Sequence, residues 1–236
     1  MISSELPPNT SLYMPGALRY TILIALALIA FSAVFMVVDN AYFKYTDARF
    51  PNVGVSDWLA TLWGIVSRLH LLAILIPLVL WRPRWMGFQI GKMNQHWRML
   101  IIILLANCGL IAGYLLLTHS TTPYSADQWL LTEVVTVPVL EETFWRGLVF
   151  GLLLVAMRKI HPEATSYHLA VWFSGIAFGL LHVNNIFAGV PALFVAIQML
   201  NATIWGVVYG YARAQTDSIY PPVLLHAAMN LVIILF

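Results

Sequence analysis

The sequence predicts an all-α, polytopic membrane helix bundle with about seven transmembrane helices, or eight helical pieces if the fourth segment breaks. Three observations favour this fold class. The 236 residues are 61% hydrophobic and 9% charged, whereas soluble domains carry about 25% charged residues. Apolar segments of membrane-spanning length follow one another closely, and the loops between them alternate in charge. We therefore expect a short polar N-terminal tail over residues 1–18 and a single integral membrane domain over residues 19–236.

The individual spans follow from the rule that a helix needs about 20 mostly apolar residues to cross the hydrocarbon core. Seven segments meet it, namely 19–38, 58–80, 99–118, 129–157, 167–186, 190–212 and 218–236. The first is too long for the core of a signal peptide and is expected to remain as an anchor. Pro138 interrupts the long fourth segment. Its ring cannot donate to the carbonyl of Val134, which predicts a kink just before Glu141.

The loop charges predict how the bundle is oriented. Residues 81–98 hold four basic side chains and no acid, and the turns at 158–166 and 213–217 hold Arg158, Lys159 and Arg213. The alternate loops carry few positive charges. The positive-inside rule then places the N-terminus in the cytoplasm and the C-terminus on the opposite side. Short loops favour a bacterial cytoplasmic membrane. The sequence has no basic block of the kind that binds nucleic acid, and its single cysteine, Cys108, excludes an internal disulfide.

Ionisable residues inside the predicted spans are the candidate functional groups, because a charge at the bilayer centre is costly and usually faces a cavity. They are Arg68, His70, Glu133, Glu141, Glu142, Arg146, His182 and His226. Glu142 and Arg146 are spaced i, i+4, which favours an ion pair that braces the helix. Glu141 is rotated by about 100° from Glu142 and has no helical cation partner. A carboxylate in such a poorly solvated site is a candidate general base.

Two histidines complete the candidate site. His182 follows Phe178 by one helical turn in AFGLLHVNN, and His226 precedes Asn230 by one turn in PPVLLHAAMN. The usual two-histidine zinc motif HExxH and the serine-nucleophile motif GxSxG are both missing from the sequence. Glu141, His182 and His226 could still form an open three-ligand zinc site, and this remains the alternative to a site without cofactor.

The three motifs together resemble one family. EETFWR fits EExxxR, FGLLH fits FxxxH and HAAMN fits HxxxN, in that order on successive spans. This pattern is similar to the CPBP intramembrane proteases, also called Abi or CAAX-protease-like, and covers a catalytic core over residues 127–236. The resemblance implies that Glu141 and His182 activate water, and that Glu142 and Arg146 hold the active-site helix. It further implies that His226 and Asn230 stabilise the oxyanion.

The expected function is therefore a glutamic-type intramembrane endopeptidase, whose partners are the bilayer and a membrane-anchored protein or peptide substrate. By analogy with family members, that substrate could carry a C-terminal sorting or lipid anchor. Two other classes stay open: a zinc-dependent membrane protease, and a non-catalytic immunity or scaffold protein of the same fold. A proton-coupled transporter is disfavoured because the sequence shows neither a repeated half nor paired broken helices.

Overall fold

A computed structural model of the chain describes residues 16–47, 58–66, 68–118, 125–187 and 189–235. Over these residues the fold is all-α, as predicted. Its α-helices are α1 (Ala17–Asp47), α2 (Trp58–Val66), α3 (Leu69–Trp81), α4 (Trp97–Thr118), α5 (Ala126–Trp129), α6 (Val137–Glu142), α7 (Phe150–Met157), α8 (Glu163–Leu181), α9 (Ala192–Thr216) and α10 (Tyr220–Leu235). Most of the predicted tail, residues 1–15, lies outside the described residues, and α1 already begins at Ala17.

The described helices have the composition of membrane spans. By length and hydropathy four stretches can cross a bilayer, namely Ala17–Tyr42, Trp97–Thr118, Glu163–Ile186 and Ala192–Thr216. Leu69–Trp81 and Tyr220–Leu235 are also apolar but shorter. Where the sequence predicts a single span over 58–80, the structure has two helices, α2 and α3, that end and begin on either side of residue 67. The chain is an all-α membrane bundle, and the count of seven crossings stays a prediction.

The long acidic segment forms one continuous helix over residues 126–157, here called the acidic helix. Between α5 and α6 it runs through a π-helical stretch, Leu130–Thr136, and between α6 and α7 through a second one, Thr143–Val149. The expected break into two pieces at Pro138 is therefore not found. In the wider register the N–H of Val137 bonds to the carbonyl of Thr132, five residues earlier. The donor that Pro138 lacks is thus the one for the carbonyl of Glu133, rather than that of Val134 as the sequence suggested.

Helices α8 and α9 pack backbone against backbone. A Cβ atom added at Gly175 would lie 2.7 Å from the backbone nitrogen of Val207, and one at Gly179 would lie 2.8 Å from the carbonyl oxygen of Met199. Small residues allow this approach, as they do between membrane helices generally. The contact fixes the end of α8, where a short 3-10 turn, His182–Ile186, follows directly.

The loop between α3 and α4 closes one end of the bundle. The backbone N–H of Lys92 donates to the carbonyl of Thr216 at 2.7 Å, and that of Ile219 donates to the carbonyl of Gly87 at 2.8 Å. Gly87 has a φ of +88°, a conformation that favours glycine. Met86, which is fully buried, packs against Gly147 of the acidic helix. The loop between α3 and α4 is therefore packed against the helices and is part of the folded core.

Candidate active site

Glu142 and Arg146 form a fully buried ion pair inside the bundle. Both side chains have no solvent exposure, and the guanidinium Nη1 lies 3.2 Å from each carboxylate oxygen of Glu142. His226 of α10 adds a hydrogen bond from Nδ1 to Oε1 of the same carboxylate, at 2.8 Å. On its other side the guanidinium carbon lies 4.5 Å from the ring centroid of Phe178 and 5.8 Å from that of Tyr209. The i, i+4 pair expected from the sequence is present, and it joins the acidic helix to α8, α9 and α10.

Glu141 faces a different environment from its neighbour. Its side chain lines a cavity of about 260 Å³ and is only partly buried. Among the described residues no hydrogen bond or ion pair to this carboxylate is found. Successive residues on a helix point about 100° apart, which lets the same turn bury one carboxylate in the Glu142–Arg146–His226 network and expose the other to the cavity.

His182 lines the same cavity and has a defined ring orientation. Its Nδ1 lies 3.1 Å from the carbonyl oxygen of Phe178, one turn earlier. A carbonyl can only accept, so Nδ1 carries the proton and Nε2 keeps its lone pair. The Phe178 ring packs edge-on against the imidazole with centroids 5.2 Å apart. The motif FxxxH therefore has a structural meaning here, because Phe178 supplies both the carbonyl and the ring that orient His182.

His226 and Asn230 of α10 are not among the side chains that line the cavity. Asn230 donates from Nδ2 to the carbonyl of Glu133 at 2.6 Å, the carbonyl for which Pro138 has no N–H. The backbone carbonyl of Asn230 accepts a hydrogen bond from Nε1 of Trp129 at 2.9 Å. The structure thus places Glu141 and His182 in the wall of the same cavity, and it bonds His226 and Asn230 to the acidic helix that carries Glu141.

Four polar residues of the cavity wall were missed in the sequence, namely Asp39, Asn40, Asn184 and Asn185, and a fifth, Arg68, was a candidate without an assigned role. The side-chain amides of Asn40 and Asn184 exchange two hydrogen bonds, at 2.5 and 3.1 Å, which tie α1 to the turn after His182. Asn185 donates to Oε1 of Gln198 at 2.8 Å. Two sequence features could have indicated these residues. Asp39 and Asn40 are polar residues at the end of an apolar run, and HVNN contains a pair of asparagines. Asn40 and Asn184 are 144 positions apart, so this pairing could not be read from sequence.

The zinc alternative can be compared with this geometry. Within the described part of the chain, no group of three or more His, Cys, Asp or Glu side chains is placed to hold a metal ion. Glu141 and His182 line the same cavity, whereas His226 does not, and its Nδ1 donates to Glu142. Chelator treatment of the purified protein is the test of the zinc alternative.

The arrangement can activate a water molecule. An unpaired carboxylate and an imidazole with a free Nε2 lone pair line the same small cavity, whose wall also has amide groups able to bind a peptide backbone. The cavity also has an aromatic, apolar part of its wall, here called the aromatic floor, which consists of Phe35, Phe144 and Trp145. This combination of a polar pair and an apolar surface is typical of a ligand-binding pocket.

Comparison with known families agrees with the three motifs. Residues 127–232 match the family described as type II CAAX prenyl endopeptidase Rce1-like. The match begins just before the acidic helix enters its first π-helical stretch and ends within α10, so it includes every motif residue from Glu141 to Asn230. No curated protein and no solved structure matches the chain. Residues 127–232, slightly under half of the chain, are therefore similar to the Rce1-like domain of the CPBP family, which is a family of membrane proteases.

Proposed function

We propose that the chain is an intramembrane endopeptidase in which Glu141 and His182 activate a water molecule for attack on a peptide carbonyl. One observation carries the proposal: Glu141, without a hydrogen-bonding partner in the described structure, lines the same cavity as His182, whose Nδ1–H is anchored on the carbonyl of Phe178. The neighbouring Glu142 has the opposite properties, since it is paired with a cation and hydrogen-bonded. Only Glu141 is free to accept a proton.

The reaction proceeds by general-base hydrolysis. A water molecule held between the Glu141 carboxylate and His182 Nε2 loses a proton to Glu141 as its oxygen attacks the scissile carbonyl. The carbonyl oxygen becomes an oxyanion, and the proton on Glu141 then passes to the leaving amine as the C–N bond breaks. General acid–base catalysis of this kind contributes about 10²–10⁴-fold to the rate.

His226 and Asn230 are proposed to stabilise the oxyanion, as the family resemblance implies. His226 donates from Nδ1 to Glu142, and its other ring nitrogen donates to the oxyanion when the ring is in its imidazolium form. Asn230 uses one amide hydrogen on Glu133 and retains a second. Each donor to an oxyanion is worth about 2.7–4 kcal/mol in known enzymes. In this arrangement Glu142 and Arg146 position the site without touching the substrate.

The test compares wild type with Glu141→Gln, which preserves the shape of the side chain and removes its basicity. The measurement is the set of protein termini in membranes from cells that express each form at equal levels, determined by mass spectrometry. We expect new termini with wild type and a loss of at least about 10²-fold with Glu141→Gln. Glu163→Gln is the matched control, since Glu163 is an exposed acid at the start of α8. Identical termini in all three would favour the scaffold or immunity role.

A chelator separates the glutamate mechanism from a zinc-dependent one. Activity of the purified wild type should survive treatment with a strong zinc chelator. Loss of cleavage that added zinc restores would contradict the proposed mechanism and would favour a metal site built on Glu141, His182 and His226.

A further inference from the structure

The bundle has two chemically different ends. One, here called the basic end, contains the loop between α3 and α4, the turn between α7 and α8, and the junction of α9 with α10. Backbone bonds join the first and the last of these segments, from Lys92 to Thr216 and from Ile219 to Gly87. Thr21, near the start of α1, lies 2.6 Å from His161 at the same end. Eight of the twelve lysines and arginines belong to it: Arg19, Arg82, Arg84, Lys92, Arg98, Arg158, Lys159 and Arg213.

The cavity lies toward the other end, here called the cavity end. Its polar wall comes from the last part of α1, the residue before α3 and the turn after α8. The nineteen residue steps of α1 from Thr21 to Asn40 span about 28 Å at the α-helical rise, close to the thickness of a hydrocarbon core. Arg68 and Asp39 at this wall keep about a third of their side-chain surface exposed. The cavity therefore reaches the surface at the cavity end.

Between the cavity and the basic end, the acidic helix is closely packed against its neighbours. Every residue of the acidic helix from Glu142 to Gly151 is buried, and so are Leu153 and Met157. The stretch from Phe144 to Met157 covers about 20 Å of helix. The loop between α3 and α4 seals it with Met86 and Trp85, which pack against Gly147 and Gly151. Through the part of the bundle that the structure describes, a peptide has no route to Glu141 from the basic end.

We propose that the active site opens on the face of the membrane opposite the basic loops, the extracytoplasmic face, and that it cleaves membrane-anchored proteins in a juxtamembrane segment on that face. This rests on the proposed function. The positive-inside rule places the basic end in the cytoplasm, and the buried core places the cavity opposite.

The substrate is a peptide segment with an apolar side chain near the scissile bond. The aromatic floor accepts that side chain, and the amides of Asn40, Asn184 and Asn185 are donors and acceptors for the peptide backbone. A protein whose anchored tail lies in the cytoplasm is on the wrong side of the membrane.

Substituted cysteines test the orientation without any need for activity. Cys108→Ser removes the only cysteine, and single cysteines are then introduced by Phe187→Cys at the cavity end and Arg84→Cys at the basic end, both at exposed positions. A membrane-impermeant maleimide should label Phe187→Cys in right-side-out vesicles and Arg84→Cys only in inside-out vesicles or after detergent. The reverse pattern, or labelling of both from the same side, overturns the proposal.

Two reporter substrates then connect orientation with cleavage. Each is a single-span protein with the same juxtamembrane peptide, placed on the cytoplasmic face in one and on the opposite face in the other. Wild type should cleave only the second reporter, and Glu141→Gln neither. Glu141-dependent cleavage of the cytoplasmic reporter would overturn the orientation while supporting the protease. The expected labelling without cleavage of either reporter would support the orientation and count against the proposed function.

Discussion

The buried pair of Glu142 and Arg146 should contribute far more to stability than a similar pair at the surface. We expect Arg146→Met to lower the free energy of unfolding by about 3–5 kcal/mol, because removal of one partner leaves a carboxylate buried without its cation. Both side chains have no exposure, and the same guanidinium contacts Phe178. Among the described residues its Nε and Nη2 have no hydrogen-bond partner. His226 still bonds Glu142 in the variant, which limits the loss to this range.

The matched control is Arg158→Met. Arg158 pairs with Glu163 at 2.7 Å, but the two side chains are 43% and 72% exposed. Exposed pairs contribute about 0–1 kcal/mol. Both variants are unfolded by titration with a denaturing detergent in mixed micelles, and the free energies are compared with wild type. A loss for Arg146→Met no larger than that for Arg158→Met would refute the reasoning. The double variant Glu142→Gln/Arg146→Met should lose less than the sum of the two single changes.

Two further changes test helix packing. Gly175→Ala should destabilise the bundle by about 1–3 kcal/mol, since its Cβ would lie 2.7 Å from the backbone of Val207. Gly109→Ala on α4 is its control, because a Cβ there meets nothing within 4 Å, and detergent unfolding should show no loss. Tyr209→Phe removes the hydroxyl that accepts from the fully buried Asn107 at 2.5 Å. It should cost about 0.6–1.7 kcal/mol, the range measured for hydrogen bonds between membrane helices, and an unchanged midpoint of unfolding would contradict that role.

The fold class could be predicted from sequence because lipid imposes simple rules on length and hydropathy. The same rules explain where the prediction stops. Helix α1 runs to Asp47, beyond the predicted end at residue 38, since the polar residues that seemed to end the span have partners elsewhere in the fold. Asn40 pairs with Asn184, and His70 Nε2 lies 3.0 Å from Asp39. A hydropathy window measures each residue alone and does not detect such pairing.

The chemistry of the site was partly readable for a different reason. The contrast between Glu141 and Glu142 follows from the helical angle between neighbours and from one arginine four residues later, both of which are local features. The link from Glu142 to His226 crosses 84 positions. The carbonyl of Glu133, for which Pro138 has no donor in the π-helical register, likewise finds its partner in a distant residue, Asn230. Local spacing predicts which residues lie on the same face of the acidic helix, whereas the packing of α10 determines which partners those residues contact.

This dependence on α10 has a consequence for any study of the site by mutation. His226 bonds the buried carboxylate, and Asn230 bonds the backbone of the acidic helix in the turns just before Glu141. A change at either residue alters the position of Glu141 as well as any direct contact with the oxyanion, and an activity loss alone therefore does not assign a role.

The two roles differ in what accompanies the loss of activity. A residue that only positions the helix should lose stability together with activity and recover both with a substitute that keeps the anchoring bond. A donor to the oxyanion should lose catalytic rate while the unfolding midpoint stays unchanged. Measurement of both quantities on the same purified variants of His226 and Asn230 separates the anchor from the catalyst.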